Sequence, residues 1–449
     1  MKPQSPPDLP TDDLFRHRLD NLIDRRHELV RLAELIDWQH FEEQWGAAFC
    51  EVGRPAIATR LIAGLHYLKH TYGLSDEQVV RRWSENPYWQ YFCGEVYFQH
   101  ELPLNPSSLT RWRQRLGDAG MESLLSATIE AAIESKAVKT RDLRRVTVDT
   151  TVQEKAIAFP TDSKLYHRAR ERLVRLARAH AVPLRQSYVR VGPRLLFQNN
   201  RYGYARQARR MRRTTAKLKT VLGRVYRDLE RRLAEQPESV KAAFAEPMAL
   251  TRRLLEQQRH DKKKLYSLHA PEVECIAKGK VPKRYEFGVK VSIATTNRSN
   301  LIVGARSLPG NPYDGHTLKG VLHQVERLTG QRPERCYVDL GYVGHNVTDV
   351  EVFKARQKRG VTPCIRRELK RRNAIEPIIG HMKADGLLHR NHLKGTEGDA
   401  INVILCAAGQ NLRLILRYLR IFWLRIQAAL RRFGQVHSYA LPENRLFQG

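Results

Sequence analysis

Three carboxylates in this chain stand where a folded sheet could gather them. Asp149 closes a β-branched, alternating run at 144–151, Asp339 ends an apolar run at 336–340, and Glu376 lies in a helical stretch farther on. Residues of this type suit phosphodiester chemistry. That chemistry has to activate a water or a 3′-hydroxyl and stabilise the leaving oxygen. Two Mg²⁺ ions about 3.5–4 Å apart do both, and hard carboxylate oxygens are their ligands. Rival chemistries lack their residues. There is no G-x-x-x-x-G-K-[ST] loop for nucleotide phosphates and no G-x-S-x-G elbow for a Ser/His/Asp hydrolase. The six cysteines, at 50, 93, 275, 336, 364 and 406, include no CxxC pair for zinc or redox work and read as reduced, buried thiols. Spacing alone does not single out three acids among 47, and an isolated strand-end acid is ordinarily a surface group.

The elements that would position these groups follow from periodicity. Residues 16–135 read as helical, with Ile57, Leu61, Leu65 and Leu68 at helical spacing, Gly73 as a stop and Ser75 with Gln78 as a capping box. A helix starting at 105–108 and running through LTRWRQRLG is expected to end at Gly117. The strand at 145–150 follows. Alternating strands are expected at 285–296 and 301–308, a helix at 315–329, a strand at 336–340, a helix at 346–359, a strand at 361–365, a helix at 367–382 and a long helical region at 400–433. The sum is a mixed α/β sheet interrupted after its first strand by a basic helical segment.

The local words around the carboxylates resemble the DDE transposases of bacterial insertion sequences, in particular the insertion-sequence-five family. Asp339-Leu340-Gly341-Tyr342 resembles the family's Asp-x-Gly-Tyr motif. Arg372, Glu376 and Lys383 resemble its Arg-x-x-x-Glu-x-x-x-x-x-x-Lys motif, with Leu369 where a tyrosine is usual. The stretches SLHAPEVECIAKGK, KRYEFGVKV, LPGNPYDGHTL and HLKGTEGDAIN are similar to the family's core, and the likeness extends over roughly 45–420. The resemblance implies a ribonuclease H-like catalytic core, a metal-dependent triad at Asp149, Asp339 and Glu376, and an N-terminal helical domain that helps bind terminal inverted repeats. Mg²⁺ is the implied cofactor, with Mn²⁺ as a substitute. Asp142 also lies near the first strand. Asp149 is preferred because it sits inside the β-branched run, while Asp142 lies in a charged lead-in. His316 and His345 flank motifs and read as surface or phosphate-contacting groups.

Composition points to the same partner. Lys and Arg total 78 against 47 acids, a net charge of +31 and a pI near 10.2 in 449 residues. Such an excess stores repulsion unless a polyanion offsets it. Between 163 and 227 there are 19 Lys and Arg and one acid, Glu171. That segment, with Arg209, Arg210, Arg212 and Arg213, is expected to hold DNA backbone. Arg111, Arg113 and Arg115 on the helix after 107 are expected to act as a recognition face, and Arg372 and Lys383 to grip phosphates beside the scissile bond. The expected organisation is a tail at 1–15, a helical DNA-binding domain at 16–140, a ribonuclease H-like core at 141–160 and 270–433, a basic helical insert at 161–269 and a tail at 434–449. A mean hydropathy of −0.53, no N-terminal apolar signal and an apolar run of only about 13 residues at 400–412 lead to an expectation of no membrane and a cytoplasmic, nucleoid-associated protein. Double-stranded DNA and further copies of the chain are the expected partners. Two rival readings stand beside this one: a ribonuclease H-like nuclease without strand transfer, and a non-catalytic DNA-binding regulator.

Overall fold

The computed structural model describes residues 17–49, 56–277 and 284–438. The expected tail at 1–15, Cys50 and residues 439–449 of the expected C-terminal tail lie outside the described residues. Local signals set the N-terminal helices: Leu19–Leu22 (α1), Glu28–Leu35 (α2), Trp38–Trp45 (α3), Thr59–Tyr72 (α4), Asp76–Glu85 (α5), Pro87–Phe92 (α6) and Ser107–Glu134 (α7). The Asp37 side chain accepts from the backbone N–H groups of Gln39 and His40 and opens α3. Ser75 and Gln78 form the expected capping box of α5, and Asn86 caps α6 with Pro87 in its first turn. Gly117 breaks α7 with φ +63° and ψ −167°, a conformation open chiefly to glycine, so the helix runs in two segments.

The sheet starts at Arg145–Glu154 (β1). Four helices follow: Asp162–Ala179 (α8), Val191–Tyr204 (α9), Ala208–Leu233 (α10) and Glu238–Glu256 (α11). The chain then returns through Glu274–Ala277 (β2), Tyr285–Thr296 (β3), Ile302–Leu308 (β4), Asp314–Thr329 (α12), Arg335–Val338 (β5), Glu351–Lys354 (β6), Pro363–Arg371 (α13), Ile375–Ala384 (α14) and Gly395–Ser438 (α15). β1 is central. It pairs antiparallel with β3 and parallel with β5. β5 pairs parallel with β6, and β2 and β4 both pair antiparallel with β3. The β1–β3 approach depends on Gly288, where a Cβ would sit 1.9 Å from the Gln153 carbonyl oxygen.

Two expectations after β5 are overturned. The helix expected at 346–359 is replaced by the short strand β6, which pairs with β5 in register from Arg335↔Glu351 to Val338↔Lys354. The strand expected at 361–365 is the start of α13. The Thr362 side chain accepts from the Ile365 N–H, and Pro363 supplies a preset φ in the first turn. Capping thus overrides the β-branched run. The helix expected at 367–382 is interrupted as well: a 3₁₀ turn at Arg372–Ala374 separates α13 from α14.

The core is continuous across the N-terminal helices and the sheet. Leu65, Trp83 and Leu124 belong to the same buried cluster as Val148, Ile293, Val338 and Leu405. α15 supplies the join, touching α2, α4, α7 and β4. Gly395–Gln427 is long and apolar enough to cross a membrane by length and composition, yet most of it is buried as a core helix. The four helices α8–α11 carry a second core of their own, with Leu173, Leu222, Leu229 and Phe244 at its centre. Their connections to the sheet are joined by the buried Lys155, whose Nζ lies 2.8 Å from both Glu272 and Asp399.

Candidate active site

β1 and β5 run parallel, with Thr147 opposite Tyr337. Two residues farther along each strand direction come Asp149 and Asp339. The two-residue period of a strand therefore places both carboxylates on the face shared by Thr147 and Tyr337. The same face receives α13. Asn297 donates to the Thr147 hydroxyl and to the Glu368 carbonyl, each at 3.0 Å. The buried Glu368 carboxylate accepts from the Tyr337 hydroxyl and pairs with Arg145 at 2.9 Å and Arg335 at 3.4 Å. Clamped this way, α13 delivers Arg372 into the site. Its guanidinium stands 4.0 Å from Asp149 and 3.9 Å from Asp339. Glu376, one turn later on α14, is exposed, and its charge reaches Asp149.

Asp149 is mostly buried and accepts a 2.8 Å hydrogen bond from the Thr150 N–H. Burial pushes its carboxyl up to about 6. The Thr150 N–H and Arg372 pull the other way, while the charges of Asp339 and Glu376 add to the rise. The Asp149 carboxyl therefore feels the charges of both other carboxylates.

Residues that sequence reasoning did not single out support the site from the opposite face. Thr150 donates to Asp314 at 3.1 Å, and Lys290 lies 3.1 Å from the same oxygen while donating to the Pro312 carbonyl at 2.8 Å. Asp314 opens α12 and meets the loop that carries Asp339. A Cβ on Gly341 would sit 3.3 Å from its carboxylate, and one on Gly315 would sit 2.7 Å from the Val343 carbonyl. Tyr342 is buried behind this junction, its hydroxyl pushed up by burial and by the charges of Asp149 and Asp314. The available signal was the stretch LPGNPYDGHTL, in which His316 is the residue that draws attention by type. His316 makes an edge contact with Tyr313, and His345 accepts from the Val347 N–H at 3.1 Å.

The chemistry of the carboxylate set fits a hard divalent cation: every donor is a carboxylate oxygen, and their mutual repulsion at Asp149 is what such an ion would relieve. Their present spacing is looser than a closed cage. Among the described residues, no three His, Cys, Asp or Glu side chains stand close enough together to hold a metal ion. Arg372 is the cation that bridges two of the carboxylates.

Other expected residues divide sharply. Arg113 is a correction: it is buried, and its guanidinium grips Asp76 through two hydrogen bonds of 3.0 and 2.5 Å, with Lys69 2.8 Å from the same carboxylate. Burial works to raise the Asp76 carboxyl, but Arg113 and Lys69 outweigh it and hold the group well below the usual range. That guanidinium ties α7 to α5 and is buried rather than presented to solvent. Arg111 and Arg115 are exposed, Arg115 lying over the Trp112 ring at 5.2 Å. Arg209, Arg210, Arg212 and Arg213 are all exposed on α10. Lys383 is half-buried on α14, seven residues and about 10 Å beyond Glu376. Arg372 sits on the 3₁₀ turn that interrupts the helix expected at 367–382, ahead of α14 and Glu376.

Comparison with known proteins identifies two domains in the chain. Residues 17–115 match the family model of a transposase domain, and residues 258–412 match that of a transposase DDE domain. An uncharacterized protein from Rhizobium meliloti, ORF8 in the nfe locus, is 54% identical to this chain over 207 residues, 46% of this chain and all of the relative. No solved structure matches significantly. With a transposase domain over the N-terminal helices and a DDE domain over the strands and helices that carry Asp339 and Glu376, the chain belongs to the DDE transposases of bacterial insertion sequences.

Proposed function

We propose that this transposase binds the terminal inverted repeats of its element, cleaves there by hydrolysis and joins the freed 3′-hydroxyl ends to target DNA. The observation that carries the reading is Asp149, whose carboxyl feels the charges of Asp339 and Glu376 and which shares Arg372 with Asp339. The central strand β1, with an antiparallel hairpin on one side and parallel strands on the other, supports a ribonuclease H-like core. Asp149, Asp339 and Glu376 would hold Mg²⁺, or Mn²⁺ in its place. Once bound, such ions supply an acidified water and a counter-charge for the leaving oxygen.

The chain's own residues set the geometry. Asp149 and Asp339 are fixed by neighbouring strands, Glu376 by a helix docked on β1. Arg372 keeps the two aspartates oriented, and with Lys383 it would grip phosphates flanking the scissile bond. Exposed arginines on α10, together with Arg111 and Arg115, would hold the duplex backbone. Several copies would assemble on DNA, in the cytoplasm on the nucleoid. The test is Asp339→Asn. It is expected to bind element ends like wild type while losing cleavage and strand transfer in Mg²⁺. A purified Asp339→Asn protein that still nicks the ends would overturn the assignment. Ends cleaved by wild type but never joined would favour the nuclease reading.

A further inference from the structure

The helix α9 has an outward face that a solvated helix does not need. At 100° per residue, Arg194, Phe197, Arg201 and Tyr204 fall within an arc of about 80°, so cation and aromatic alternate along one stripe. All four are exposed: Phe197 to 63% and Tyr204 to 90%. Arg201 lies against the Phe197 ring, 6.0 Å from its centroid. The two rings are seven residues apart, about 10 Å along the axis. Beside Tyr204 opens a groove of about 860 Å³ between the start of α8 and the α9–α10 pair. It is lined by Lys164, Tyr166, Arg212 and Lys219, with Asp162 as its one acid.

Charge selects the occupant. After Glu171 the next acid is Asp228, so a second copy that met this face with the same face would bring its own arginines against it and be repelled. A polyanion is attracted. Duplex backbone alone would explain the arginines, because phosphates are gripped by cations. It would not explain two large rings held in water. Unpaired bases do, since every base has a π-face and aromatic stacking on a basic track is how single strands are held. We propose that Phe197, Arg201 and Tyr204, with the adjoining groove, form a stacking surface for unpaired bases of a DNA strand.

This rests on the reading of the protein as a DNA-acting transposase, and the experiment separates the two. The probes are a fully paired duplex and the same duplex with a short single-stranded tail carrying 2-aminopurine. Wild type is expected to bind both in a salt-dependent way and to quench 2-aminopurine in the tail. Phe197→Ala with Tyr204→Ala should weaken binding to the tailed probe by roughly 5- to 150-fold per stack removed. It should abolish the quench and leave duplex affinity within twofold. Tyr204→Trp should restore the quench. Both sites are exposed, so an unchanged melting temperature is expected and is measured alongside. Equal losses on the two probes, or an unaltered quench, would overturn the stacking surface while leaving the transposase reading intact. An altered sedimentation coefficient with unchanged DNA binding would assign the face to a second copy. Wild type that binds neither probe would remove both readings.

Discussion

Asp149 is held near 6 by burial and by two neighbouring carboxylates, an arrangement that works against folding once the group ionises. An unfolded Asp loses its proton near 4. Between those values the folded chain binds a proton that the unfolded chain does not. Stability therefore falls as pH rises through that window, and the full penalty stands above it. Asp149→Asn carries no such penalty. In metal-free protein the variant is expected to melt with wild type near pH 4 and above it near pH 7.5, by up to roughly 3 kcal/mol. Thermal melts in chelator across that range check the sign. Mg²⁺ should then raise the melting temperature of wild type and leave the variant unmoved. A gap independent of pH would mean that Asp149 is not the group under strain. The carboxylates were legible one by one, because strand ends and motif words are local. That Arg372 turns inward between two of them was not, since it depends on where α13 docks.

At the scale of elements, the segment from β5 to α14 shows how short-range signals compete. Thr362 and Pro363 turn a β-branched pentad into a helix start, and β6 takes the parallel edge in its stead. The recognition face expected on α7 shows the other limit. Arg111, Arg113 and Arg115 look alike in sequence, but the helix rotates Arg113 onto Asp76 of α5 and leaves its neighbours in solvent. Breaking that pair removes both Arg113 hydrogen bonds to the Asp76 carboxylate and leaves Lys69 as its remaining cation. Arg113→Ala is therefore expected to cost about 3 kcal/mol of stability. Arg115→Ala should leave the melting temperature unchanged and lower DNA affinity. Thermal melts and DNA titrations on the two variants check this, and the reverse pattern would restore Arg113 to the DNA-contacting face.

Over the whole molecule, one core joins the N-terminal helices to the sheet, with α15 as the shared wall, while α8–α11 stand on a second core. Much of the excess charge lies on this second body, whose arginines have few acids to pair with. Replacing Arg209, Arg210, Arg212 and Arg213 with Gln should weaken binding about equally on inverted-repeat and unrelated DNA. The slope of log K against log salt should flatten by roughly 0.9 for each phosphate that is no longer neutralised. Anisotropy titrations over a range of KCl measure both. An unchanged slope would make α10 an ordinary solvated face.

The sequence alone determined that this chain carries a large basic excess, helices at its N-terminal end, strands around 145–150 and 285–308, and a carboxylate set with motif words around two of its members. Each of these is written in neighbouring residues: periodicity, capping partners, turn residues and charge density act over a few positions. Tertiary structure alone decided which cations meet which carboxylates. Arg372 and Arg113 became internal partners of carboxylates on other elements, and Lys290 paired with Asp314 beside the loop that holds Asp339. The physical reason is distance. A guanidinium or a carboxylate is placed by the element that carries it, but its role is set by whatever charge packing brings within about 4 Å, and no local pattern encodes that meeting.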